Sequence, residues 1–273
     1  MTTTLKPVGP ERRTDDGVRA RTYAVRVNSR TVGSADLGTD PRYGTTVGRI
    51  NTLEIDEPDR RRGRGTVAAL AAEEVLRCWG CARVEVSIPA EAGYALRMAE
   101  ALAYTERNIH MTKPLDGPPR PLPDGVFLRP FSTAEYGPWR EREGEGYVAE
   151  LVGRGVPRQQ AEANAAAAFA QALPDGPATE GSALVRLENG SGPLGHLWVR
   201  LTDPPFVFSV EVAADRRGLG HGRTLMLAAE NLALEAGGDT IQLNVFAGNV
   251  PAQRLYASLG YRAAVRHFYK SLL

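Results

Sequence analysis

The chain is poor in cysteine, in charge of one sign and in long apolar runs, and each shortage excludes something. Its two cysteines, Cys78 and Cys81, cannot build a disulfide framework. They have C-x-x-C spacing, but no second such pair or paired histidines follow to complete a four-ligand zinc site. Cys78-Trp-Gly-Cys81 also closes a helix-like run instead of opening one, so it reads as two ordinary thiols. The 33 basic and 32 acidic side chains leave a net charge of +1, which offers no electrostatic case for a nucleic-acid or anionic-membrane partner. No run of about eighteen apolar residues predicts a transmembrane helix. The opening MTTTLKPVGPERR lacks an apolar core for a secretory signal, which makes cytoplasmic the expected location. What is present is an ordinary globular composition over 273 residues, enough for one large domain or two of moderate size.

The chain repeats itself. Shifted by 157 positions, Glu54–Lys113 aligns with Glu211–Lys270 without a gap. Arg60 falls on Arg217, Gly63 on Gly220, Gly65 on Gly222, Glu73 on Glu230, Tyr104 on Tyr261 and His110 on His267. Matching glycines and aromatics in one register indicate two copies of a supersecondary unit. Between them Asp116–Gly125 is rich in proline and glycine and reads as a semi-rigid linker. The expected domains are 1–116, a linker at 117–125, and 126–273.

In the second copy Phe206–Val212 reads as a buried strand and Arg223–Glu235 as a helix stopped by Gly237-Gly238. Ile241–Phe246 is a second strand. Pro251 opens a helix that runs to Ser258, where its missing N–H costs nothing, and Val265–Tyr269 is a last strand. Upstream, Leu184–Leu187 and Leu194–Leu201 form a hairpin, preceded by helices over 133–151 and 158–173. The first copy has a hairpin, Thr22–Asn28 and Thr31–Asp36, and a strand over Val47–Ile55, but no counterpart of those two helices. It reads as a shortened version.

Strand, Arg217-Gly-Leu-Gly-His-Gly222, then helix is the most informative stretch. Glycines let successive N–H groups turn toward one point, where the helix adds its free amides and positive dipole end. That cradle suits a diphosphate, with Arg217 and Arg223 adding charge. It is not a Walker loop, which ends G-K-[ST], nor a dinucleotide fingerprint, because Arg223 stands where the third glycine belongs. A second motif follows: Asn249-Val-Pro-Ala-Gln-Arg-Leu-Tyr256, then Ser258-Leu-Gly-Tyr261. R-x-x-G-x-G followed by N-x-x-A-x-x-L-Y and G-[FY] resembles the GNAT (GCN5-related N-acetyltransferase) superfamily, over Val126–Leu273. The first copy shares the outline more faintly.

That resemblance implies an α/β (α+β) protein of two tandem GNAT-like domains, each a mixed, mostly antiparallel, splayed sheet flanked by helices. It implies acetyl-CoA as co-substrate in the V-shaped opening. Val210 and Val212 would border the pantetheine, Val212 through its backbone. Arg217, Gly218, Leu219, Gly220, His221, Gly222 and Arg223 would hold the pyrophosphate. Asn249 and Ala252 would meet the cofactor arm, and Tyr256 would face the thioester sulfur. A phenol with pKa near 10 is chemically suited there, because the departing thiolate has a parent pKa around 8.5.

The base is less legible. An alkylammonium with pKa near 10.4 is only about one part in a thousand neutral at pH 7.4. Many relatives place an acid or histidine on the fourth strand an even number of residues before Val212, but Val210, Phe208 and Phe206 are apolar. Glu211 is the nearest acid, although strand alternation turns it away from Val210 and Val212 unless a bulge intervenes. Glu143, Tyr147 and Glu150 share a helical face that could line an acceptor pocket. A water relay, or an acceptor of low pKa, would need no dedicated base. His267, in a terminal strand, reads as structural; none of His196, His221 and His267 has metal-ligand spacing with another, so no metal is assigned.

The first copy keeps a cationic loop, Arg60, Arg61, Arg62, Gly63, Arg64 and Gly65 after Ile55, which suggests a second cofactor site. Its residues matching Asn249 and Tyr256 are Ala92 and Ala99, so catalysis is not expected there. The expected function is acetyl-CoA-dependent N-acetylation of a primary amine, on a small molecule or a peptide, by the second copy. The alternative is a non-catalytic CoA-binding regulator or scaffold.

Overall fold

The computed structural model describes residues 3–15, 17–40, 43–153 and 155–272. In chain order the first repeat contains β1 (Thr3–Arg13), β2 (Arg19–Val27), β3 (Arg30–Asp40), β4 (Gly44–Ile55), α1 (Arg64–Cys78), β5 (Arg83–Pro89), α2 (Gly93–Ala101) and β6 (Thr105–Pro114). The second contains β7 (Val126–Pro130), α3 (Thr133–Gly153), α4 (Arg158–Ala172), β8 (Ser182–Asn189), β9 (Gly192–Arg200) and β10 (Phe206–Val212). It continues with α5 (His221–Glu235), β11 (Thr240–Phe246), α6 (Val250–Ser258) and β12 (Arg262–Ser271). The mixed α/β class follows the expectation. β1 is an addition: Pro7, Gly9 and Pro10 hide it in the sequence, and it pairs with β2 through a register shift between Val8 and Arg12. Among the described residues no helix is long and apolar enough to cross a membrane.

Two compact units result, and their boundary is not the linker. One comprises Met1–Arg107, Val148–Ala161 and Arg266–Leu273; the other comprises Asn108–Tyr147 and Glu162–Val265. In the first unit the strand order is β1-β2-β3-β4-β5-β12, and in the second it is β6-β11-β10-β9-β8-β7. Each repeat therefore lends its last strand to the unit of the other. The side chains agree. Lys270 of β12 reaches the buried Glu73 of α1 at 2.7 Å, and Lys113 of β6 reaches the buried Glu230 of α5 at 2.7 Å. These lysines, and these glutamates, are repeat equivalents.

The second unit opens beside β10. That strand stays antiparallel to β9 as far as Val212↔Gly195, whereas its parallel pairing with β11 covers Phe206↔Gln242 and Val207↔Leu243. Beyond Val207 the two parallel strands diverge, which is the expected splay. Alternation then sorts the sheet faces. Val185, Leu197, Val199 and Val207 join Leu225, Met226 and Ala229 of α5 in one core. Leu184 and Trp198 turn the other way and pack with Phe131, Trp139 of α3 and Phe169 of α4. In the first unit, Ala35, Leu37, Ile50, Ala72, Leu76 and Val84 form the core, closed by Phe268 and Leu272.

Candidate active site

After β10 a short 3-10 turn, Ala214–Arg216, leads into the glycine loop. Gly218 and Gly220 have φ of 78° and 89°, a left-handed conformation that L side chains adopt at a cost of about 1–2 kcal/mol. A Cβ at either would meet nothing within 4 Å, so backbone conformation and not crowding demands glycine. Gly220 is the N-cap of α5 and supplies no side-chain cap, which leaves first-turn amides for an external acceptor. Gly222 answers to packing: its Cβ would lie 3.1 Å from Leu255 of α6. Leu219, at the tip, is 66% exposed. Arg217 donates from Nε to the Val212 carbonyl at 3.4 Å while most of its side chain stays in solvent, and Arg223 Nη2 donates to Ser258 Oγ at 2.7 Å. His221 opens the helix half-buried.

α6 starts on Asn249, whose Oδ1 accepts from the Ala252 amide at 3.2 Å. A cap of this kind is worth about 1 kcal/mol, and only the Asn249 Nδ2 remains to reach a ligand. Ala252 and Tyr256 lean on the same core as Val210 and Val212. Burial pushes the Tyr256 phenol above its ordinary pKa of 10, so the hydroxyl keeps its proton at neutral pH. Full transfer to a thiolate of ordinary basicity is then uphill by at least about 2 kcal/mol, which makes the phenol a hydrogen-bond donor to developing charge.

On the opposite sheet face α3 begins with a capping box. Ser132 N donates to Glu135 at 2.9 Å, and Glu135 N donates back to Ser132 Oγ at 3.4 Å. Arg129 and Arg186 brace Glu135 at 2.8 and 2.6 Å, and the Arg129 hydrogen bond holds that carboxyl well below the usual range. So anchored, α3 buries Trp139 and places Glu143 one turn later. Glu143 Oε1 and Glu211 Oε2 each lie 3.8 Å from His196 Nε2, and Ser209 Oγ donates to Glu143 at 3.2 Å.

The bulge that could have turned Glu211 toward Val212 exists, but it sits upstream, between Val207 and Ser209. Alternation is intact from Ser209 onward. Glu211 therefore shares a face with Ser209 and its cross-strand partner His196, while Val210 and Val212 face the core. Glu150 is not in this group, and Tyr147 is half-buried one turn from Glu143. His196 is the residue that sequence reading passed over. Its signal is positional: β9 alternation pairs it with the buried Trp198, yet its neighbour across the ladder is an acid. The absence of a metal was argued from chain spacing alone, whereas the fold gathers one histidine and two glutamates from three elements.

The first repeat copies the loop closely. Gly63 has φ 72° and caps α1, and Arg60 Nε donates to Ile55 O at 2.7 Å, as Arg217 does to Val212. Its charge is spent differently. Arg64 is buried and ion-paired with Asp59, which also takes a two-pronged bond from Arg30 at 2.6 and 2.7 Å. Arg61 lies over the Tyr94 ring at 5.2 Å. The loop therefore offers less free charge than its sequence suggests, because Arg64 is committed inside the fold. His267 faces Ser87 Oγ at 2.9 Å. Cys78 and Cys81 are free thiols, the latter buried and pushed up to about 11 by that burial.

Compared with known proteins, residues 4–104 and 136–261 match the acetyltransferase (GNAT) family, once per repeat. A mycothiol acetyltransferase from Thermomonospora curvata is 31% identical over 219 residues, covering 78% of this chain and 70% of the relative. Another from Thermobispora bispora is 28% identical over 214 residues, covering 73% and 68%. Among solved structures, a GCN5-related N-acetyltransferase from Sphaerobacter thermophilus superimposes with a TM-score of 0.59 at 21% identity, covering 92% of this chain and 80% of that one.

Proposed function

The chain belongs to the acetyltransferase (GNAT) family and is an N-acetyltransferase, and from that premise we propose that its second repeat transfers acetyl from acetyl-CoA to the primary amine of a small molecule. The observation that carries this reading is the pairing of an uncapped, left-handed glycine loop at the α5 N-terminus with an open strand edge over Ser209–Val212. A diphosphate suits the first, through main-chain amides, the helix end and Arg217. An extended pantetheine amide chain suits the second, through free strand-edge backbone groups. Acetyl-CoA is the acyl donor. The acceptor nitrogen attacks the thioester carbonyl, the C–S bond breaks, and the Tyr256 hydroxyl hydrogen-bonds the leaving sulfur.

The relatives are named for mycothiol, which puts a polar small-molecule amine of that kind ahead of a peptide as acceptor. One acetyl-CoA per chain is the expected stoichiometry, because Asp59 has taken Arg64 out of the first loop and Ala99 leaves no phenol there.

The test is thiol release from acetyl-CoA across a panel of glucosamine, ethanolamine, a cysteine ester, spermidine and an alanyl peptide. Tyr256→Phe is expected to lower kcat about 10- to 100-fold with KM for acetyl-CoA unchanged. Equal rates would remove Tyr256 from this role. Tight acetyl-CoA binding without release from any amine would favour a CoA-binding regulator.

A further inference from the structure

His196 lies on β9 and is 7% exposed, and its buried Nε2 has no hydrogen-bond partner among the described residues. An unsatisfied buried ring nitrogen is destabilising and calls for an explanation. The ring is held edge-on by Phe131 and Trp139, with centroids at 6.0 and 6.3 Å, so it cannot turn freely to seek another partner. Glu143 from α3 and Glu211 from β10 both approach Nε2 to 3.8 Å, too far for a direct bond, and the three ligating atoms lie within 4.8 Å of one another. Ser209 fixes Glu143 from behind. Three acceptors thus face one another across gaps too wide for a direct hydrogen bond.

A point equidistant from atoms so spaced lies at most about 2.5 Å from each in their plane, and an atom about 1.5 Å above it reaches hydrogen-bond length to all three. That is the geometry of a primary ammonium, which has three N–H donors and one positive charge to set against two carboxylates. We propose that Glu143, His196 and Glu211 dock the acceptor as its ammonium, and that His196 Nε2 takes the proton that frees the nitrogen to attack. This rests on the acetyl-transfer reading above and supplies the base that Phe206, Phe208 and Val210 do not.

The step balances. The N–H bond of R–NH3+ breaks, and the proton goes to Nε2. The freed lone pair attacks the thioester carbonyl, and the C–S bond breaks. The second nitrogen proton ends on the thiol, and the imidazolium returns its proton to solvent. Groups facing His196 are Glu143 from α3, Glu211 from β10, and Arg186, its cross-strand neighbour on β8, which Glu135 engages at 2.6 Å. Arg217 stands behind Glu211 at 3.9 Å.

The experiment uses the full chain saturated with acetyl-CoA and two nucleophiles: ethanolamine, almost wholly an ammonium at pH 7, and O-methylhydroxylamine, already neutral there. His196→Gln is expected to lower kcat/KM for ethanolamine by about 10²–10⁴ and to regain it about tenfold per pH unit between pH 7 and 9, as free amine accumulates. Its rate with O-methylhydroxylamine should change less than about threefold, and Glu143→Gln should raise KM for ethanolamine more than it lowers kcat. Equal losses with both nucleophiles, or a pH profile unchanged in His196→Gln, would overturn the proposal. Stoichiometric Zn2+ retained through dialysis by wild type and lost in Glu143→Gln would also overturn it, by making this a metal centre. If no amine is acetylated, the transfer reading fails by itself. Calorimetry of ethanolamine binding to the CoA-saturated chain then decides the docking site, where equal affinity in wild type and Glu143→Gln contradicts it.

Discussion

The two repeats share a skeleton and differ in what they do with it. Both have an arginine bonded back to the last carbonyl of a splayed strand, Arg60 to Ile55 and Arg217 to Val212. Both cap the next helix with a left-handed glycine, and both bury a glutamate in that helix against a lysine from the other repeat. The differences are chemical. The first repeat spends Arg64 on Asp59, has Ala92 without a side-chain cap where Asn249 caps α6, and has Ala99 for Tyr256. It keeps Glu54 at the position of Glu211, but the strand partner is Ser34, not His196. Among its described residues nothing corresponds to α3, so no second carboxylate arrives. A fold can be copied intact while the groups proposed to bind phosphate, donate to sulfur and receive a proton are absent or neutralised.

The largest expected effect breaks that comparison at the loop. Gly220→Glu puts an acid into the anion cradle and should lower kcat/KM for acetyl-CoA by more than about 100-fold. Gly63→Glu carries the same left-handed backbone cost of about 1–2 kcal/mol and should leave kcat/KM within about twofold. Steady-state kinetics on the two variants checks this.

The exchanged strands come next. Lys270→Met strands the buried Glu73, for which the described residues hold no second cation, and should cost about 3 kcal/mol. Lys113→Met should cost less than half as much, because Arg120 still reaches Glu230 at 2.8 Å. Urea unfolding of both variants measures the asymmetry; equal losses would deny Arg120 its role.

The smallest effect is shared by both repeats. Burial first, then the neighbouring glutamate, raises the Tyr104 and Tyr261 phenols, and burial raises Cys81 from 9.0 to about 11. The folded state holds these protons more tightly than the unfolded one. Their contribution is therefore complete below pH about 9 and is lost as pH rises past the ordinary values near 9 and 10. Urea midpoints should be flat from pH 7 to 9 and fall by pH 10.5, with Tyr104→Phe and Tyr261→Phe each reducing the slope to a similar extent.

Most of the secondary structure was legible because the second repeat punctuates itself. Gly220, Gly237, Pro251 and Gly260 mark helix ends, and β10 and β11 are compact apolar runs. β1 was not, since two prolines and a glycine within eleven residues erase strand alternation. Strand exchange was invisible for a deeper reason: when two copies share a pattern, the pattern cannot say which copy a strand joins. The glycine loop is local, so its spacing exposed it. The cluster proposed to dock the acceptor is not local. His196, Glu143 and Glu211 come from β9, α3 and β10, and only the register between strands brings them together.

The central claim is that one loop, in the second repeat, grips acetyl-CoA. Isothermal titration of acetyl-CoA into wild type, Gly63→Glu and Gly220→Glu tests it most directly. One molecule per chain, retained in Gly63→Glu and lost in Gly220→Glu, is the predicted result. Two molecules per chain, or a single one that survives Gly220→Glu, would contradict it.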